Sequence, residues 1–282
     1  MSLRVLDTVC EPGGAKPNED RVGAAADAAW VIDGATDVYP EPFLPATNDV
    51  HYLVDGLGNE LRRALRPAVD VERTLTEISA EIGRDIRGHG FPADRVYPTC
   101  SVGLAIDHGG TLELARIGDA TLVAVGEEVD SGEDAGVTEL STVFYNQRET
   151  AAVRAAGPQG LDAQDARDAL LLRRREYITG VHPEGVFSGD PSAVLRIHRV
   201  RLKWNAARHV LLCTDGFARA ITDYGLYSNW RDLIDAALRD SLATVTKAIR
   251  DCERQPDFSA SRRHFKRSDD IAAALCEKKQ GA

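Results

Sequence analysis

Val210-Leu211-Leu212-Cys213-Thr214-Asp215-Gly216 is an apolar run that ends on an acid and a glycine. Its length and composition predict a buried strand, and the Asp-Gly pair marks the turn that leaves it. The same pattern occurs earlier, where Trp30-Val31-Ile32 delivers Asp33-Gly34. Taken singly, such a pair is more often a turn than a ligand. Two of them ending very apolar strands place two carboxylates where core strands finish together. Carboxylates crowded on one rim repel one another unless cations sit between them.

Three further acidic sites abut predicted strands. Asn18-Glu19-Asp20 precedes a short strand at about 20–25, and Ser268-Asp269-Asp270 leads into the apolar run 271–276. Asp119 lies in Gly118-Asp119-Ala120, the pivot of a predicted hairpin with Leu112, Leu114 and Ile117 before it and Leu122 and Val123 after it. Oxygen ligands without a His or Cys cluster suit Mg²⁺ or Mn²⁺ better than Zn²⁺. The seven histidines are scattered and show no HxxxH or HExxH spacing, so a zinc hydrolase is not expected.

Outward from these sites, further strands are predicted at about 3–10, 99–125 and 194–202. Val50, Leu53, Val54, Leu57 and Leu61 form one helical stripe, and Val71, Leu75, Ile78, Ile82 and Ile86 form another. Residues 145–156 and 163–176 also read as helical. One long helix is expected between the last two strands, carrying Leu233, Ile234, Ala237, Leu238, Leu242, Val245 and Ile249. The acidic stretch 126–136 reads as a solvated loop, and about 177–191 as an irregular surface excursion. Strands in groups and helices in pairs predict an α+β fold, two antiparallel sheets covered by helices, as one domain over 1–282.

Composition narrows the function. The formal charge of −10 argues against nucleic acid as the main partner. It leaves phosphorylated substrates open, because bound cations reverse the local field of an acidic cleft. No apolar run approaches the roughly 20 residues that cross a bilayer. Five scattered cysteines and an N-terminus without a basic-then-apolar signal point to a reducing compartment, the cytoplasm.

The ordered set of motifs resembles the metal-dependent protein phosphatases of type 2C. The stretch KPNEDR (16–21) is similar to that family's early Asn-Glu/Gln-Asp motif, and VIDGATD (31–37) to its strand ending in Asp-Gly. PTCSVGLAI (98–106) looks like its Thr-containing strand, and ARIGDATLVAV (115–125) like its Gly-Asp-Ser/Ala hairpin. LLCTDGFARAI (211–221) and SDDIAAALCE (268–277) resemble its last two strand motifs. The resemblance implies an α-β-β-α sandwich and a serine/threonine phosphatase using two Mn²⁺ or Mg²⁺ ions.

Carried onto this chain, the resemblance implies that Asp33 bridges two metals, with the Gly34 carbonyl as a further ligand. Asp215 and Asp269 complete one site; Asp20, supported by Glu19, serves the other. Asp119 with Asp215 invites a third, weaker ion. A water activated between the metals attacks the phosphorus of a phosphoserine or phosphothreonine in a protein substrate. The chain departs from the pattern at Thr36 and Asp37, where glycines are usual, and at Ala15, where many bacterial members have Arg. Lys16 beside it is the expected phosphate-holding residue. Arg219 stands where some members carry an acid, which weakens or removes the third site.

The basic runs Arg262-Arg263-His264-Phe265-Lys266-Arg267 and Arg173-Arg174-Arg175 read as solvated charge rather than docking surfaces. Two other functions fit the same motifs: a 2C-like binding or regulatory module without catalysis, and a phosphatase of small phosphoesters. A haloacid-dehalogenase-type phosphatase is set aside, because no DxDx(T/V) follows the first strand.

Overall fold

A computed structural model describes residues 2–126, 136–156, 164–204, 207–255 and 266–279. Most of the predicted acidic loop and of the basic run before Asp269 lies outside these residues. The strands run β1 (Ser2–Glu11), β2 (Arg21–Ala25), β3 (Ala28–Gly34), β4 (Thr99–Asp107), β5 (Thr111–Ile117) and β6 (Thr121–Val125). They continue as β7 (Val137–Leu140), β8 (Phe187–Ser188), β9 (His198–Lys203), β10 (His209–Cys213) and β11 (Ile271–Lys279). The helices are α1 (Asp49–Ala64), α2 (Val71–Gly88), α3 (Phe144–Ala156), α4 (Gln164–Ile178), α5 (Asp215–Thr222), α6 (Trp230–Asp240) and α7 (Leu242–Glu253).

Two antiparallel sheets form, in the orders β1-β11-β10-β6-β7 and β2-β3-β4-β5-β9, with β8 paired to β4. The two-residue period of a strand explains how each serves two cores. Along β3, Trp30 and Ile32 pack against Leu53, Leu57 and Leu61 of α1 and Leu75, Ile82 and Ile86 of α2. The alternate residues, Ala29 and Val31, meet Leu122, Ala124, Val210, Leu212 and Ala274 of the opposite sheet. That sheet's other face, with Leu211, Cys213, Ala273 and Leu275, packs on α5, α6 and α7. The layers are therefore helices, sheet, sheet, helices, as expected from the sequence. Leu57 is fully buried, so truncation to Ala costs about 2–5 kcal/mol.

Two sequence expectations change. The predicted hairpin around Gly118-Asp119 is a corner between sheets, since β5 belongs to one sheet and β6 to the other. Gly118 makes that corner at φ +82°, and a Cβ there would sit 2.1 Å from the Ser101 hydroxyl. The predicted long helix is two helices. Ser241, at φ +105°, breaks it, and its side chain accepts from the Thr244 N–H at 3.3 Å. Asp7 of β1 fixes the new start by accepting from the Leu242 N–H at 2.7 Å. A sequence stripe at period 3.6 does not register a break that preserves the apolar face. Helix α5 is a further difference from the sequence expectation: Asp215 opens a helix instead of closing a turn.

All five cysteines are free thiols. Among the described residues no helix is long and apolar enough to cross a membrane.

Candidate active site

One rim of the sandwich collects the acids because of strand direction. Strand β10 ends where its antiparallel neighbour β11 begins, with Cys213 opposite Ala273. The Thr214 N–H donates to the Ala272 carbonyl at 2.9 Å, and the Ala272 N–H donates to the Thr214 hydroxyl at 2.9 Å. Asp215 and Asp269 therefore start side by side. Strand β3 ends with Asp33 opposite Ser101, and Ser101 donates to the Asp119 carboxylate at the corner. Asp33 shares the face of Ala29 and Val31, which looks toward the other sheet.

The loop before β2 reaches the same rim through Asp270. That carboxylate accepts the Gly13 N–H and the Glu19 N–H, each at 2.7 Å. Asn18 accepts the Asp20 N–H at 2.8 Å, turning Asp20 inward. Gly34 lets this loop approach: a Cβ there would lie 2.5 Å from the Glu19 carbonyl oxygen. Glu19 ties this loop to the start of α1: its Oε1 accepts from Asn48 Nδ2 at 2.7 Å and from the Asp37 N–H at 3.2 Å. Asp37, one of the departures from the family pattern, organises the loop into α1. Its Oδ1 accepts the Tyr39 N–H at 2.9 Å and its Oδ2 the Asp49 N–H at 3.0 Å.

Electrostatics mark Asp20 and Asp33 as the strained members. Asp33 is pushed well above the usual carboxylate range by burial, then by the carboxylates of Asp20, Asp215, Asp119 and Asp269. Asp20 is pushed up likewise, by burial and by Asp269, Asp270 and Asp215, partly offset by Thr214. Asp20 is 2% exposed, and among the described residues its Oδ2 has no hydrogen-bond partner. A buried carboxylate oxygen left without a donor is costly unless something positive meets it.

Asp269 differs. Its Oδ2 accepts from Arg219 Nη2 at 2.8 Å and its Oδ1 from Lys266 Nζ at 3.0 Å. Burial would raise it, but these two cations outweigh burial and hold it well below the usual range. Arg219 Nη2 also lies 3.5 Å from Asp215 Oδ2. Among the described residues no three Asp, Glu, His or Cys side chains close into a ready cation cage. The donors present fit a cation at Asp20 and Asp33; they do not fit one at Asp269 while Arg219 and Lys266 hold it.

A cavity of about 210 Å³ opens over Asp33, lined by the acids Asp119, Asp215 and Asp269 and by the basic residues Arg173, Arg174 and Lys266. A larger one, about 560 Å³, continues from Asp119 and Asp215 past Glu139, Thr142 and Trp230. Helix α4 delivers the arginines. It is held by an aromatic cluster in which Tyr145 and Tyr177 have ring centroids 5.0 Å apart and Tyr177 and His182 5.4 Å. Arg174 Nη2 donates to the Thr36 carbonyl, while Arg173 faces the cavity.

The basic residues thus correct the reading of solvated charge: Arg173, Arg174 and Lys266 line the cleft. Arg267 is also engaged, donating to the Glu253 carbonyl at 2.7 Å. Residues 262–265 lie outside the described residues. Lys16, expected to hold phosphate, is exposed and borders neither cavity. The signal that could have separated these runs is the apolar pair Leu170-Leu171 before Arg173, of which Leu171 packs on the core and Leu170 lines the cleft.

Solved structures match this architecture over almost its whole length. The serine/threonine phosphatase PstP/Ppp of Mycobacterium tuberculosis superposes with a TM-score of 0.57, covering 99% of this chain and 100% of that one at 15% identity. Stp1 of Staphylococcus aureus gives 0.56, covering 99% and 98% at 11% identity. The catalytic domain of PstP in complex with two manganese ions gives 0.51, covering 98% and 99% at 16% identity. The chain carries the protein phosphatase 2C fold. No family model and no curated protein matches the sequence. At such identities the 2C fold is what the likeness establishes.

Proposed function

We propose that the chain is a divalent-cation-dependent phosphatase that removes phosphate from phosphoserine or phosphothreonine. The observation that carries this reading is the partnerless, buried Asp20 Oδ2 beside Asp33 on a rim that also presents arginines. Asp20, Asp33, Asp215 and the Gly34 carbonyl would hold the cation. A divalent ion held there would supply a water of lowered pKa and would offset charge on the phosphoryl oxygens.

The remaining work falls to the chain's own groups. Arg173 reaches into the cavity over Asp33 and meets the phosphate with a planar fork suited to two oxygens. Arg174 holds the Thr36 carbonyl and so fixes the loop that follows Asp33. Tyr145 and Tyr177 wall the same cavity and narrow its access to water. Asp119, tied to Ser101, and Asp215 mark the passage into the larger cavity, where the peptide flanking the phosphoresidue would lie. That passage favours a peptide over a small phosphoester. The manganese-bound state of the PstP catalytic domain supports the choice of ion.

Hydrolysis of p-nitrophenyl phosphate, measured with Mn²⁺ and with EDTA for the native chain and Asp33→Asn, tests the reading. Cation-dependent turnover, lost by at least about 100-fold in the variant, is expected. Turnover indifferent to EDTA or to the substitution would overturn it.

A further inference from the structure

Asp269 cannot serve two masters: both of its oxygens are engaged by cations of the chain itself, Arg219 at 2.8 Å and Lys266 at 3.0 Å. We propose that Arg219 and Lys266 stand in place of one of the two metal ions, so that the site loads a single divalent cation, at Asp20 and Asp33. The inference rests on the cation-dependent reading above and deepens it.

Geometry makes the substitution stable. Arg219 lies one helical turn after Asp215 on α5, which carries its guanidinium back across the strand ends to within 3.5 Å of Asp215. It is 2% exposed although it borders the larger cavity, so its charge is met by carboxylates and not by water. Gly216 locks α5 against the segment it pairs with, since a Cβ there would lie 2.0 Å from the Asp270 carbonyl oxygen. A divalent ion at Asp269 would have to displace both partners, taking from a buried guanidinium the nearer of its two carboxylates and adding positive charge beside it, a steep penalty.

Charge points the same way. Five carboxylates meet at the rim, Asp20, Asp33, Asp119, Asp215 and Asp269, and coulombic coupling joins them. Arg219 and Lys266 neutralise two, and one divalent ion then offsets most of the remainder. The unmet demand sits at Asp20, whose Oδ2 is buried and partnerless, and not at Asp269.

Mn²⁺ binding to the full chain, counted by calorimetry and by the loss of the free-ion electron paramagnetic resonance signal, tests the proposal without reference to turnover. One ion per chain is expected for the native protein and for Asp269→Asn, and none for Asp20→Asn. Two ions in the native protein would overturn the proposal and leave the phosphatase reading intact; no ion would overturn both. Lys266→Met combined with Arg219→Met frees Asp269, and a second ion is expected there provided circular dichroism shows the fold retained. A folded double variant that still takes one ion would also overturn the exclusion. If the double variant unfolds, the native and Asp269→Asn counts decide alone.

Discussion

The Asp270 carboxylate holds the Glu19 backbone N–H at 2.7 Å across 251 residues of sequence. With its second oxygen on the Gly13 N–H, it closes the loop that aims Asp20 at Asp33. The residue beside it, Asp269, faces the cleft, so the paired acids divide between building the rim and lining it.

Asp270→Ala should therefore loosen the loop before it touches any chemistry. Loss of two hydrogen bonds to a charged acceptor is expected to cost about 2–4 kcal/mol in urea unfolding. Cation affinity should fall by about 10–100-fold, because the support of a liganding residue is removed. Unchanged affinity in a folded variant would contradict the role given to Asp270.

Asp20→Asn should stabilise the ion-free chain while abolishing function. A carboxyl whose folded pKa is raised binds its proton more tightly in the folded state. Its contribution is present below the ordinary carboxylate range and is lost as pH rises through the raised folded value. Without cation, melting temperature should fall on going from mildly acidic to neutral pH, and the variant should flatten that slope. A gain of about 1–2 kcal/mol at neutral pH is expected, the usual trade of function for stability. Asp269, held low by Arg219 and Lys266, has the opposite sign: its contribution is lost only as pH falls below the ordinary carboxylate range.

Arg173→Ala should raise KM for a phosphopeptide by about 10-fold or more, with the melting temperature unchanged, since the side chain faces the cavity and not the core. Lys16→Ala, on an exposed loop, should leave KM within about 2-fold. Reversal of the two effects in steady-state kinetics would return phosphate binding to Lys16.

Gly34→Ala puts a methyl group 2.5 Å from the Glu19 carbonyl oxygen and 2.7 Å from Val50 Cγ1. A loss of about 3 kcal/mol or more is expected in chemical denaturation, together with weaker cation binding. Retention of full stability would mean that the loop does not lie against β3 as described.

The sandwich was legible because its strands and helices carry clean periods, and the rim because Asp33, Asp215 and Asp269 adjoin the most apolar runs. Pairings across the fold were not legible. Nothing in the local sequence couples Arg219 to Asp269, fifty positions away, or tells Arg173 from a solvated arginine. Those depend on where α4 and α5 come to rest. Gly118 looked like a hairpin pivot because its flanking apolar residues suit either a hairpin or a corner. Ser241 hid a helix break because the stripe from Leu233 to Ile249 continues across it.

The central claim is cation-dependent phosphate release from a phosphoresidue at the Asp20–Asp33 rim. The most direct measurement is phosphate release from a phosphothreonine peptide, titrated with Mn²⁺, for the native chain and for Asp20→Asn. Release that rises with Mn²⁺ and saturates in the native chain, and stays at background in the variant, is expected. Release independent of Mn²⁺, or its absence in a chain shown to bind the ion, would contradict the account.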